Sequence, residues 1–284
     1  MNSTTSPDTA VAAGAATPTA PQPPRRTLQD WAAPACSIGI AVGLLVLAEA
    51  AARNKWVSPM VMPAPSAVWK VLVSGLSDGY FTGHVISSVV SLGIGFLAAF
   101  VIAMTIAGIL TSSSFLERVF TPFIYSIQSM PKIAVAPLVV LWLGFGELSK
   151  ITIVTIVCFF PILVNTMQGL KVRDRDHYDL MQSLGANRWQ MFYRMRLPHA
   201  VPYVFAGVHI GVIFALIGTV VAEFVGTNAG VGYALLQSKA NFDVPGVFAC
   251  LILLMIMGLV LHFVSSWIEK RVSYWVDDAS RISV

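Results

Sequence analysis

Apolar residues in this chain come in runs too continuous for one face of a soluble helix. Six stretches carry almost no charge: residues 31–52, 84–110, 119–145, 151–170, 203–225 and 247–267. A bilayer core about 30 Å thick takes roughly 20 residues of helix, so each stretch is predicted to cross a membrane. The third contains Pro131 and Pro137 and is expected to be kinked or broken. Proline removes a backbone donor and crowds the preceding turn, which membrane helices tolerate where neighbours re-satisfy the backbone. The expected fold class is all-α: a polytopic membrane protein with six transmembrane helices.

Between the runs the pattern changes. Residues 1–30 are rich in Ala, Thr, Pro and Ser and short of large apolar side chains. Such a segment cannot bury a core and is expected to be a disordered tail. Residues 31–80 hold the first span and, in "VMPAPSAVWKVLVSGL", a short amphipathic helix. Ser66 is its predicted N-cap, and Val68, Leu72 and Leu76 recur at helical spacing; it is expected on the outer side, at the membrane surface. Residues 81–270 form the transmembrane core, and 271–284 a second tail.

One polar interruption of that core is itself patterned. Within residues 171–200, Asp174, Asp176 and Asp179 come early, where acids favour a helix N-terminus. Leu180, Met181 and Leu184 make an apolar stripe. Gly185 follows, the residue type that ends helices in the left-handed conformation. Asn187 with Gln190 three residues on is a capping-box pattern. Trp189, Phe192 and Tyr193 give the second helix an apolar face. Leu197-Pro198 is expected to end it, with Pro202 starting the next span. The prediction is a hairpin of two short helices whose apolar residues pack on the membrane helices or fill a groove in another protein.

Composition agrees with a lipid environment. Charged residues are 11% and hydrophobic residues 56%, against about 25% charged in soluble domains; mean hydropathy is +0.74. A net charge of +4 raises nucleic acid as a partner, but the basic residues sit in short segments between apolar runs, a topology signature. With the N-terminus inside, twelve of the 18 Lys and Arg residues fall in inner segments and five outside, with Lys132 inside the third span. Both termini and the 171–200 loop are therefore expected in the cytoplasm. Ala48-Glu49-Ala50 after the first run imitates a secretion-signal cleavage site, yet the leader would be about 50 residues against the usual 15–30, so the span is expected to be retained.

The hairpin resembles the EAA loop of binding-protein-dependent ABC import permeases. Gly185 matches its glycine, Leu197-Pro198 match its ending, and Met195 replaces its isoleucine; Asp179-Leu180-Met181 stand where Glu-Ala-Ala is usual. "MPAPSAVW", "SMPKIAVAPLVVLWLGFGELSK" and "VVAEFVGTNAGVGYAL" resemble the subfamily for nitrate, sulfonate, taurine and related small solutes. The resemblance implies a type I importer fold in the bacterial inner membrane. It implies a pair of permeases, two copies of a cytoplasmic ATP-binding subunit and an extracytoplasmic solute-binding protein. Asp179, Leu180, Met181, Leu184, Gly185, Asn187, Leu197 and Pro198 would couple to the ATPase, moving the spans between inward-open and outward-open states. The chain itself would be no enzyme and hold no cofactor: ATP would bind the partner, and no G-x-x-x-x-G-K-[ST] loop occurs.

Single residues within the spans add candidates. Glu223 is an intramembrane acid, costly and often functional; it is expected to line a pathway or gate, or to pair with a neighbouring helix or the binding protein. Gln128, Ser129 and Asn165 would line a passage or bond across helices. His84, His209 and His262 lack a partner acid at useful spacing and read as packing residues, while His177 and His199 flank the hairpin and would tune its charge. Cys36, Cys158 and Cys250 read as apolar packing, with no catalytic or metal set. Gly226, Gly230 and Gly232 are expected in a flexible outer connector. The competing function, a self-sufficient secondary transporter or channel, predicts repeat halves or several buried ionisable groups, and neither is visible in the sequence.

Overall fold

The computed structural model of the chain describes residues 28–58, 60–171 and 175–273. All regular structure among them is helical: α1 Leu28–Arg53, α2 Pro65–Ser77, α3 Tyr80–Ser112, α4 Ser114–Gln128, α5 Ala136–Leu143, α6 Glu147–Lys171, α7 Arg175–Ser183, α8 Arg188–Met191, α9 Leu197–Gly226, α10 Val231–Ala240 and α11 Val244–Val272. The chain divides into two units, Met1–Leu47 and Ala48–Val284. The first is described only as helix from Leu28. The expected tails, before Leu28 and after Ser273, lie outside the described residues.

Among the described residues four helical stretches are long and apolar enough to cross a membrane: Tyr80–Ser112, Glu147–Lys171, Trp189–Gly226 and Val244–Val272. α4 with the segment Lys132–Leu143, bent by 80°, brings the number to five where the bent pair is counted as one span. The first expected span coincides with α1, a continuous helix of 26 residues. The break in the third falls at 129–131, with a 3₁₀ turn at Lys132–Val135. Pro137 does not kink anything; it opens α5, where its missing N–H would have no partner anyway.

α6 is the central helix, packed along α9 on one side and α3 on the other. Lipid tails are as apolar as leucine, so burial does not drive helices together in a membrane; close backbone approach does. The chain supplies it with small side chains. Ser91, Gly95, Ala99, Ala103, Ala107 and Thr111 recur every four residues on α3, and all are buried. A Cβ on Gly95 would lie 2.7 Å from Val154 Cβ on α6. On the other side, a Cβ on Gly169 would lie 2.7 Å from Tyr203 Cβ and 3.0 Å from the Ala200 backbone. Cβ atoms on Gly207 and Gly211 of α9 would lie 3.3 Å and 3.0 Å from Ile162 of α6.

The outer helix differs from expectation in its cap. Ser66 lies inside α2, whose N-cap is Ala64 with no side-chain bond of its own. The cap comes from Glu49, 17 residues back. Its carboxylate accepts from Ser66 N at 3.0 Å and Ser66 Oγ at 2.8 Å, and pairs with Arg53 at 2.7 Å. A carboxylate suits a helix N-terminus because the orphan N–H groups and the dipole both favour it. One face of α2 packs inward: Val68 and Leu72 are buried with Phe81, Val231 and Cys250 in a cluster joining α2, α3, α10 and α11, while Trp69, Val73 and Leu76 are exposed. Cys158 is likewise buried, as packing requires, and Cys36 is exposed.

Gly169→Leu should therefore lower the thermal midpoint of the detergent-purified protein, overpacking costing about 1–3 kcal/mol. Gly93→Leu, at an exposed position where a Cβ meets nothing within 4 Å, should leave the midpoint unchanged. Equal midpoints for the two variants would contradict the close-approach account.

Candidate functional site

The polar loop folds as two helices about a sharp corner. α7 ends at Ser183, and Gly185 takes φ +73°, a left-handed conformation costing a side-chain-bearing residue about 1–2 kcal/mol. Asn187 and Gln190 form the reciprocal cap: Gln190 N donates to Asn187 Oδ1 at 2.8 Å, and Asn187 N donates to Gln190 Oε1 at 2.9 Å. Asp174 lies outside the described residues, and of Asp176 only its place in α7 is described.

The second helix does not stop at Leu197-Pro198 as expected. It passes through a π turn, Phe192–Arg196, straight into α9. The Leu197 N–H reaches Phe192 O, five residues back. That wider turn accommodates Pro198, whose ring would crowd a regular helix and which has no N–H to bond. The result is one helical stretch, Trp189–Gly226, of 38 residues. Pro202, expected to start the span, lies inside it.

The hairpin's apolar residues divide into two sets. Met191 and Met195 are buried and Phe192 packs on the core. Leu184 (73% exposed) and Trp189 (70%) face outward, as do Leu180 and Tyr193. Trp189 and Tyr193 stack, with ring centroids 5.9 Å apart. Asp179 is also exposed, Met181 half-buried, and Leu197 and Pro198 are half-buried at the root of the hairpin.

At the far end of the same helix, Glu223 is 1% exposed and faces Lys150 of α6, also 1% exposed. Lys150 Nζ lies 3.6 Å from Glu223 Oε1 and 3.1 Å from Glu147 Oε1, and it donates to Ser87 Oγ at 2.8 Å. Ser88 Oγ donates to Glu223 Oε1 at 2.6 Å, and Ser91 Oγ to Glu147. The knot also caps α10. Gly230 N donates to His84 Nδ1 at 3.1 Å, Val231 N to Ser88 Oγ at 2.9 Å and Gly232 N to Glu223 Oε2 at 2.7 Å. Three orphan donors of a helix start thus meet acceptors from α3 and α9. The glycine segment, expected as a flexible connector, is pinned: Gly226, Gly230 and Gly232 are all buried.

The other candidates are scattered. Asn165 Nδ2 bonds the Pro161 carbonyl of its own helix at 2.8 Å. Ser129 is exposed and bonds Tyr125 O. Gln128 Oε1 is buried without a hydrogen-bond partner. His209, expected to lack an acid, has one: Nε2 lies 2.9 Å from Glu269 of α11 and Nδ1 lies 3.1 Å from Ser265 Oγ. Sequence spacing hid this pair because its members are 60 residues apart. Lys150, counted in the sequence as one more outer-side cation, is the residue that reasoning missed. The signal was the buried acid itself, which requires a counter-cation from a neighbouring span. Among the described residues no group of three or more His, Cys, Asp or Glu side chains could hold a metal ion.

Removing one partner of a buried ion pair costs about 3–5 kcal/mol, mostly for the charge left behind. Lys150→Met strands Glu223 with neutral donors only, whereas Glu223→Gln leaves Lys150 its bond to Glu147. Lys150→Met should therefore lower the thermal midpoint more than Glu223→Gln, and Lys150→Met with Glu223→Leu should recover part of the loss. The reverse order would exclude the pairing described.

This architecture has relatives. Residues 99–274 match the family described as "Binding-protein-dependent transport system inner membrane component". The formylaminopyrimidine transport permease protein ThiX of Halalkalibacterium halodurans is 33% identical, over 76% of this chain and 86% of that one. The riboflavin transport system permease protein RibX of Chloroflexus aurantiacus is 31% identical over 88% and 94%. The putative aliphatic sulfonates transport permease protein SsuC of Bacillus subtilis is 28% identical over 77% and 79%. An inward-facing form of the MetNI methionine ABC transporter shares the fold, with TM-score 0.58 and 19% identity over 68% of this chain and 95% of that one. By its match over the transmembrane core and its likeness to these permeases, the chain belongs to the binding-protein-dependent inner membrane transport components and is an ABC importer permease subunit.

Proposed function

We propose that this permease imports a small anionic solute of the sulfonate, taurine or nitrate kind. It works as a homodimer by alternating access, driven by two copies of a cytoplasmic ATPase and fed by an extracytoplasmic binding protein. Both termini and the hairpin are cytoplasmic, supported by the twelve-to-five distribution of basic residues. The carrying observation is the hairpin. Leu180, Leu184, Trp189 and Tyr193 are exposed around a left-handed corner, while the adjoining helix is continuous to Gly226. An exposed apolar patch on a capped, rigid mount suits a groove in a partner. Relatives named for aliphatic sulfonates, at 28% and 26% identity, support the solute class, beside others at 33% and 31% named for formylaminopyrimidine and riboflavin.

The mechanism follows from continuity. The ATPase pair must bind one state of the permease better than the other, or ATP binding moves nothing. Displacement of the hairpin tilts Trp189–Gly226 as a rod, about 55 Å long at 1.5 Å per residue. Its far end carries Glu223, so the tilt bears on α10 through the carboxylate that caps it. Glu223 in this reading is a gate latch that keeps the outer elements together, and no solute touches it. Gln128 and Ser129, at the break in the third span, lie beside the face past which the solute moves, while Asn165 sits in the α6–α9 seam against Gly207.

Gly185→Val should insert normally and keep its fold, because the added side chain meets nothing within 4 Å. Its backbone strain should move the corner and uncouple ATP hydrolysis from uptake in membranes carrying the full importer. Uptake equal to wild type would remove the hairpin from the mechanism. With exposed Cys36 replaced by serine, Leu184→Cys should react with an impermeant maleimide only from the cytoplasmic face, and only after the ATPase is stripped away. Labelling from outside the cell would invert the topology and end this reading.

A further inference from the structure

The bent span holds a cation that neither the hairpin nor the outer knot uses. Lys132 opens the 3₁₀ turn between α4 and α5. Its Nζ donates to the Gln128 carbonyl at 2.9 Å and lies 5.2 Å from the centroid of the Phe160 ring. Phe160 is 13 residues after Glu147 and 11 before Lys171, the ends of α6. At 1.5 Å per residue that is about 17–20 Å from either end, so the ammonium sits near the middle of the membrane. An ammonium has three donors. This one has a single acceptor, and among the described residues no carboxylate pairs with it. Lys150, near a span end, has two carboxylates.

A charge at this depth is found facing a bundle interior or a water-filled cavity. The backbone beside it gives an independent indication. Ser129, Met130 and Pro131 depart from the α-helix and are exposed. Irregular backbone at membrane depth is tolerated where it lines a water-filled cavity or is covered by protein, never against lipid. Beside it, Gln128 Oε1 is buried without a partner. A break in a span, a polar amide and a half-free cation at mid-depth together describe the wall of a passage for anions.

We propose that Lys132 is the residue that selects for negative charge in the translocation pathway: its ammonium faces the passage at the break and pairs with the anionic oxygens of the passing solute. The inference rests on the importer reading above and names the chemistry at one point of it. The Gln128 carbonyl and the Phe160 ring hold the ammonium in position. Two donors remain for the solute, so the pairing attracts without trapping, as conduction requires. A lysine acts as a point charge rather than a bidentate fork, so it reads charge and not the shape of one particular anion.

The test uses the full importer complex with Cys36 replaced by serine and Ser129→Cys added. The probes are two thiol reagents, 2-sulfonatoethyl and 2-(trimethylammonio)ethyl methanethiosulfonate. With Lys132 present the introduced thiol should react, and the sulfonate reagent should be favoured. Lys132→Gln should lower the sulfonate-to-trimethylammonium rate ratio about fivefold or more, and Lys132→Arg should hold it within about twofold. Ala134→Cys, exposed on the other side of Lys132, gives the same readout if Ser129→Cys fails to insert. A thiol that neither reagent reaches in any nucleotide state, or a ratio indifferent to Lys132→Gln, overturns the assignment. ATPase activity of the same preparations separates the two readings. An active complex with an unchanged ratio removes Lys132 alone, whereas a chain that associates with no ATPase removes the importer reading and this one with it.

Discussion

The antiparallel register of α6 against α9 is the constraint on which the rest of the molecule depends. The two helices meet along their whole length: Gly169 against Ala200, Asn165 against Gly207, Ile162 against Gly211, Val157 against Gly218 and Lys150 against Glu223. In lipid no hydrophobic drive holds this pair together, so each close approach must be built from absent or small side chains. The ionic contact of Lys150 with Glu223 comes at the end of the series. A shift by one helical turn would part Lys150 from Glu223 and drive Val154 and Ile162 into side chains that now clear them.

That register also unites the two ends of the permease. The hairpin corner at Gly185 and the knot at Glu223 lie at opposite ends of one helical stretch that nothing interrupts. The π turn at Phe192–Arg196 makes this possible. It absorbs Pro198 where a regular helix would break, so the mount of the hairpin and the membrane span are one continuous helix. At the far end Glu223 serves three partners, the ammonium of Lys150, the hydroxyl of Ser88 and the N–H of Gly232. A carboxylate shared in this way cannot shift without disturbing both α6 and α10.

The same reasoning explains why the fold persists at low identity. The permease-like structures share it at 19% and 13% identity. Close helix approach needs smallness at spaced positions, and membrane-depth backbone needs internal partners; neither requirement names a particular side chain. Charge is different. Lys132 and the Lys150–Glu223 pair each place ions where lipid would reject them, and each has a local reason: a passage at the break, a helix start to cap at the knot.

Much of this was legible from residue order alone, because the governing interactions are local. Span positions follow from runs of apolar residues that must match a bilayer. The corner at Gly185 and the Asn187–Gln190 cap follow from contacts within four residues, and both have the predicted geometry. The every-fourth-residue series of small side chains from Ser91 to Thr111 stood in the same sequence, but its meaning needs a partner helix to define the face. What only tertiary structure decided were pairings between residues far apart: Glu49 with Ser66, His209 with Glu269, Lys150 with Glu223, and the Phe160 ring beside Lys132. Local sequence gives each of these side chains a need, such as a counter-charge or a donor. Which distant residue meets that need depends on how the spans pack and in what register, and on a π turn that let one helix run on where its proline signalled an end.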